Sequence, residues 1–255
     1  HACLLAGTEL SGAANHRFRH NDMGHLRALL EAHRGQAKNC LIVTDGVFSM
    51  DGDVAPVEEM AALAKEYDAW LMTDDAHGIG VVGGGRGSSF LTGAKADVPL
   101  QMGTLSKAIG SYGGYLCASQ PVIDLIRTRA RTLIYSTGLP PANVAAALAA
   151  LEIIESEPDF AALPLKKARR FTRALNLAEA ESPIVPLIVG DPDIALSASA
   201  FLAENGFLVA AIRPPTVPFG TARLRFTFTA AHRDEDIDRL ADLVRKHVLT
   251  KVAAE

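Results

Sequence analysis

Two short segments carry side chains that could act together on one reaction. Asp74-Asp75-Ala76-His77 closes one apolar run, and Thr104-Leu105-Ser106-Lys107-Ala108-Ile109-Gly110 follows the next. A lysine at a strand end can form an imine with an aldehyde cofactor. A carboxylate at a neighbouring strand end can keep that cofactor's pyridine nitrogen protonated, so that the ring takes electrons from a substrate carbanion. Alone, Lys107 reads as a solvated surface lysine and the paired aspartates as a loop or helix cap. In this order and spacing they point to pyridoxal phosphate (PLP). The lysine must be neutral to attack, which requires burial or cationic neighbours to lower its pKa.

The elements that position these groups follow from periodicity. Leu41-Ile42-Val43 and Ala69-Trp70-Leu71-Met72 are short apolar runs ending in Thr44-Asp45 and Thr73-Asp74. Between them Val57, Met60, Leu63, Ala64 and Tyr67 recur at helical spacing behind Pro56, a residue tolerated in a first turn because it lacks only an orphan N–H. That is a strand–helix–strand unit, and in such units a site gathers at the carboxyl ends of the strands, where Asp45, Asp74 and Lys107 fall. Further strands are expected over residues 113–118, 184–189, 207–212 and 224–228. Helices are expected over residues 121–131, 141–154, 195–204 and 234–248. Glu155-Ser156-Glu157-Pro158-Asp159 breaks the pattern and sets the expected domain boundary, with a large domain over residues 1–157 and a small one over 158–255.

Bulk properties narrow the function classes. At 255 residues, with 49% hydrophobic and 21% charged, the chain can bury a sizeable core. A net charge of −4 without a concentrated basic run argues against a nucleic-acid surface. No stretch is long and apolar enough for a membrane helix. Cys3, Cys40 and Cys117 lack CxxC spacing and read as reduced thiols of a cytoplasmic protein. Small molecules are the expected partners. The chain opens at His1 without an initiator methionine, so it is expected to be part of a longer protein.

Several motifs in one order resemble a known family. Thr44-Asp45-Gly46-Val47-Phe48-Ser49-Met50-Asp51-Gly52-Asp53, Asp74 to Gly78, Thr104 to Lys107 and Ile212-Arg213-Pro214-Pro215-Thr216-Val217-Pro218 are similar to segments of the PLP-dependent α-oxoamine synthases, and the likeness runs from His1 to about Val248. The resemblance implies an α/β fold of the fold-type I PLP-dependent transferase (aminotransferase-like) class, with a mostly parallel large-domain sheet, a small C-terminal α/β lobe and an N-terminal part absent. It implies decarboxylative condensation of L-alanine with pimeloyl-CoA, or pimeloyl carrier protein, releasing CO2 and the thiol. The alternatives are a sister enzyme that uses glycine, of the 2-amino-3-ketobutyrate ligase or 5-aminolevulinate synthase type, or a non-catalytic scaffold subunit.

Roles follow from the same resemblance. Lys107 carries the imine and moves protons, Asp74 pairs with the pyridine N–H, His77 bonds the phenolic oxygen, and His1 stacks on the ring. Ser49, Thr104 and Ser106 hold the cofactor, although strand-end hydroxyls also cap their own backbone. Ser136 and Thr137 reach the phosphate of a neighbouring subunit, which implies a homodimer with shared active sites. Arg225 holds the amino-acid carboxylate through a planar fork, with Arg223 assigned to the opposite face of its strand, and Thr216 contacts substrate. A glycine-rich turn and helix N-terminus upstream of His1 would cradle the phosphate, so the chain beginning at His1 is expected to hold PLP weakly.

Three weaker signals read as structure. Gly83-Gly84-Gly85-Arg86-Gly87 lacks the GxxxxGK[ST] frame and reads as a mobile turn. His16, His20, His25 and His33 lack zinc spacing and read as surface residues, so no metal is expected. Asp51 and Asp53 read as a turn, since the calcium-loop pattern is incomplete.

Overall fold

In a computed structural model that describes residues 1–250, the chain divides into two compact units. One comprises His1–Phe48 and Val54–Pro158, the other Ser49–Asp53 and the chain from Asp159. Residues 251–255, the end of the expected small domain, lie outside the described residues.

The first unit is built on a four-stranded sheet ordered β1 (Leu41–Asp45), β2 (Trp70–Asp74), β3 (Leu100–Thr104), β4 (Gly114–Cys117). The first three strands are parallel, with Asp45 opposite Asp74 and Asp74 opposite Met102, and β4 runs antiparallel to β3. Helix α1 (Ala2–Leu10) precedes α2 (Met23–His33), whose N-cap Asp22 accepts from the His25 backbone N–H. Helix α3 (Val57–Glu66) buries Val57, Met60, Ala61, Leu63 and Ala64, the face its spacing dictates. Glu58 and Glu59 in its first turn and Lys65 in its last complement the helix dipole. Leu26 and Leu30 of α2 join Ile42, Met60 and Leu71 in this unit's core. At Gly103 of β3 the Tyr115 ring packs onto the backbone, where a Cβ would lie 2.5 Å from the Tyr115 hydroxyl.

Beyond β4 the predicted helix over residues 121–131 is divided. Ala130 has extended backbone, separating α4 (Gln120–Arg129) from α5 (Arg131–Ile134). Helix α6 (Pro141–Ser156) is apolar on most sides yet buries only Ala147. The break expected near Glu157 occurs there, but α7 (Pro158–Ala174), a helix absent from the expected elements, starts immediately after it.

The second unit pairs β5 (Ile184–Gly190), β7 (Ala222–Thr227) and β6 (Ala210–Ile212) as an antiparallel sheet ordered β5-β7-β6. The expected strand over residues 207–212 is therefore shorter, since Phe207 to Val209 lie outside the pairing. Helices α7, α8 (Pro192–Glu204) and α9 (Asp234–Leu243) supply buried apolar residues to its core, and α9 continues as a π-helical turn over Val244–Leu249. Phe171 is fully buried, with its ring 4.7 Å from that of Phe226 and 5.2 Å from that of Phe228. Truncating such a residue removes transfer energy and leaves a cavity. Phe171→Ala is expected to cost about 3–5 kcal/mol, read as a lowered midpoint in urea unfolding, and an unchanged midpoint would show that the aromatic cluster carries little of this unit's stability.

Candidate active site

The parallel pairing of β1, β2 and β3 lines up the carboxyl ends of three strands. Asp45 and Asp74 are the last residues of β1 and β2, and Lys107 follows the end of β3 by three residues. Asp74 is 2% exposed, and its Oδ1 accepts the Ala76 backbone N–H at 2.9 Å. Burial pushes the Asp74 carboxyl above the ordinary carboxylate range. The Ala76 N–H pulls it back, Asp45 pushes it further up, and the charge of Lys107 pulls it down. The charge of Lys107, beyond the end of β3, is thus felt at the Asp74 carboxyl. The Lys107 side chain is exposed.

The loop carrying Lys107 is held at its base. The Leu105 N–H donates to Gly113 O at 2.9 Å, Ser111 N–H to Leu105 O at 2.7 Å and Gly110 N–H to Lys107 O at 3.0 Å. Thr104 Oγ1 accepts the Ser106 N–H at 3.1 Å and lies 2.8 Å from Ser106 Oγ. The two hydroxyls cap this turn, as strand-end hydroxyls commonly do, and remain on the loop that presents Lys107. His77, partly buried, sits on the turn closed by the Gly78 N–H donating to Asp75 O at 2.9 Å.

His1 is the N-cap of α1, and its ring Nδ1 accepts the Cys3 N–H at 3.3 Å and lies 2.9 Å from Cys3 Sγ. Cys3 Sγ in turn lies 3.9 Å from Asp74 Oδ2. The first turn of α1 thus brings His1 and Asp74 into one neighbourhood, linked by a thiol that no motif singles out. Ser136 and Thr137 are exposed in the loop between α5 and α6.

In the second unit Arg223 and Arg225 both reach the segment Ser49–Asp53. Arg223, 3% exposed, donates from Nη1 to Asp51 Oδ1 at 2.6 Å and to Met50 O at 3.1 Å. Arg225 donates from Nε to Ser49 O at 2.6 Å, and burial lowers its pKa from the ordinary arginine value. The assignment of Arg223 to the opposite face is wrong: residues two apart in a strand share a face, and both guanidinium groups meet the same five-residue segment. Thr216 is exposed, with its N–H donated to Arg213 O at 3.0 Å.

The weaker signals resolve as local structure. Gly83, Gly84, Gly85 and Gly87 all have positive φ and form a tight turn closed by Gly85 N–H to Val82 O and Gly87 N–H to Val82 O. His16 stacks on His33 at 3.8 Å, and His20 packs edge-on to Phe48. No group of metal-ligating side chains converges among the described residues. Cys3, Cys40 and Cys117 are free thiols, and no described helix is long and apolar enough to cross a membrane.

Comparison with known proteins identifies the family. A family model described as aminotransferase class I and II matches residues 1–244. The 8-amino-7-oxononanoate synthase of Methylocella silvestris is 66% identical over 245 residues, covering 96% of this chain and 70% of its own length. Among solved structures, the serine palmitoyltransferase of Sphingomonas wittichii superposes with a TM-score of 0.92 at 32% identity, over 100% of this chain and 65% of that one. A serine palmitoyltransferase variant from S. paucimobilis, described with a bound PLP–myriocin aldimine, gives a TM-score of 0.90 at 28% identity over 100% of this chain and 66% of that one. The chain spans 63% to 70% of the length of the curated relatives it matches. With a strand-end carboxylate and lysine on a fold-type I sheet, and with these relatives, the chain belongs to the aminotransferase class I and II family, in its α-oxoamine synthase branch.

Proposed function

We propose that the protein to which this chain belongs is a PLP-dependent acyltransferase of biotin biosynthesis, condensing L-alanine with a pimeloyl thioester to give 8-amino-7-oxononanoate, CO2 and the free thiol. The observation that carries the reading is the buried Asp74 carboxylate at the end of β2, opposed in charge by Lys107 beyond β3. The 66% identity to a synthase of that name supports the choice of substrates.

The residues fit the cofactor. Asp74 Oδ1 is occupied by a backbone N–H, whereas the partner of Oδ2 is a thiol at 3.9 Å, which leaves a buried acceptor suited to the N–H of a pyridinium ring. When bound, the cofactor supplies an aldehyde carbon for an amine and a ring that takes up electrons as bonds at the amino acid's Cα break. Asp74 would hold the proton on the ring nitrogen, His77 would donate to the phenolic oxygen, and His1 would cover the ring face. Thr104, Ser106 and Ser49 offer hydroxyls to the cofactor. Lys107 Nζ would anchor it and move the proton at the substrate Cα. By the same resemblance, Arg225 would take the alanine carboxylate and Thr216 would contact the substrate.

A second copy of the protein completes the site through Ser136 and Thr137, which would reach the partner's phosphate. What supports a partner is the exposed apolar surface of α4 to α6, where Leu125, Leu133, Tyr135 and Leu148 are each more than half exposed.

Borohydride treatment of the PLP-loaded full-length protein should leave reduced cofactor on the peptide that contains Lys107. Label on a different lysine would remove Lys107 from the anchoring role. Arg225→Ala should raise the KM for L-alanine by about tenfold or more, the size expected when a charged carboxylate partner is lost, while the KM for the acyl thioester changes by no more than about twofold. Equal effects on both substrates would place Arg225 at the acyl chain instead.

A further inference from the structure

Asp75 takes no part in the chemistry proposed above, yet at 3% exposed it is among the most deeply buried charged groups of the described residues. Its Oδ1 accepts the Ser88 N–H at 2.8 Å. Three glycine backbones press on the same carboxyl group. A Cβ built at Gly78 would lie 2.0 Å from Asp75 Oδ1, one at Gly46 would lie 2.5 Å from it, and one at Gly87 would lie 2.9 Å from Oδ2. These glycines come from three separate places: the turn after β1, the turn after β2, and the glycine-rich turn that leads into Ser88. The backbone of Asp75 is fixed as well, with its N–H donated to Met102 O of β3 at 2.7 Å and its carbonyl accepting from Gly78 and Ile79. Gly46 N–H donates to Asp74 O at 2.8 Å, which ties the β1 turn to the neighbouring residue.

Such a placement is costly. Burial pushes the Asp75 carboxyl above the ordinary range while the Ser88 N–H pulls it back, and the adjacent charge is another carboxylate, Asp74. An apolar side chain would fill this space at lower cost. What the carboxyl group supplies is a fixed acceptor for the Ser88 N–H around which three loops close, and the residues flanking it are Asp74 and, two positions on, His77.

We infer that Asp75 is a positioning residue of the active site: its carboxyl group clamps the loops of Gly46, Gly78 and Gly87–Ser88 against one another and thereby fixes Asp74 and His77 for the cofactor. This rests on the PLP reading above. The clamp explains why three glycines surround one side chain, and it gives the glycine-rich segment Gly83–Gly87 a use that does not involve binding phosphate.

The test compares Asp75→Ala with Asp75→Asn in the full-length protein, each verified by circular dichroism and thermal unfolding. Asparagine keeps the shape and can still accept the Ser88 N–H; alanine removes the clamp. PLP affinity is read by absorbance titration and the steady state by kcat and KM. Asp75→Ala is expected to weaken PLP binding by about 10- to 100-fold, the range typical when a group that orients a ligating residue is lost, and to lower kcat more than it raises the KM for L-alanine. Asp75→Asn is expected to restore PLP affinity to within about threefold. If Asp75→Ala does not fold, Asp75→Ser, whose hydroxyl is too short to reach Ser88, is measured in its place with the same expectation. An alanine or serine variant that binds PLP like wild type and differs only in melting temperature overturns the inference, as does an asparagine variant as impaired as alanine. Wild-type protein that takes up no PLP would overturn the functional reading, and this inference with it.

Discussion

Parallel hydrogen bonding between β1, β2 and β3 is the constraint on which the rest depends. A parallel ladder places the carboxyl ends of successive strands side by side, and the turns that leave them open in one direction. The register sets Asp45 opposite Asp74 and carries the chain past Thr104 into the loop of Lys107. A shift of one residue would turn the Asp74 side chain to the other face of the sheet. The placement of Asp45, Asp74 and Lys107 at or just beyond neighbouring strand ends is therefore set by backbone geometry before any side-chain contact.

The electrostatics follow from that placement. The Asp45 carboxylate at the adjacent strand end adds to the cost of ionising the buried Asp74, and Lys107 offsets part of it. In the proposed function, a protonated ring nitrogen would offset what remains of that cost. Asp75 answers the same problem differently. Its Oδ1 accepts a backbone amide, and glycine backbones approach so closely that no side chain could stand between. Adjacent residues of one type thus enter different surroundings, because alternate side chains along the strand direction point apart.

In the second unit, the segment Ser49–Asp53 lies between β1 and α3 in sequence yet packs with residues that come much later in the chain. The Arg223 and Arg225 side chains of β7 hold it through Asp51, Met50 O and Ser49 O, and Gly52, with φ +73, approaches Ile184 so closely that a Cβ would fall 2.1 Å from its carbonyl oxygen. An exposed ion pair contributes little stability. Arg223 is instead buried, and its bonds to backbone oxygen fix the path of the segment carrying Ser49.

Local information in the sequence determined the strand–helix–strand unit of β1, α3 and β2, the helices α6, α8 and α9, the reactive order of Asp74, His77 and Lys107, and the resemblance to the α-oxoamine synthases. Each rests on periodicity or on motifs a few residues long. Helix α7 has a legible pattern, with Leu165, Ala168, Phe171, Thr172 and Leu175 at helical spacing, but Pro158 and Pro164 obscure it. Helix α2 offers only Leu26 and Leu30 as a buried stripe within a histidine-rich stretch. The antiparallel turn of β4, the link from His1 through Cys3 to Asp74, the glycines around Asp75 and the capture of Ser49–Asp53 by two arginines were decided by tertiary structure alone. They join residues far apart in the chain, and strand partners and close backbone approaches of that kind are set by packing, which no short window of sequence encodes.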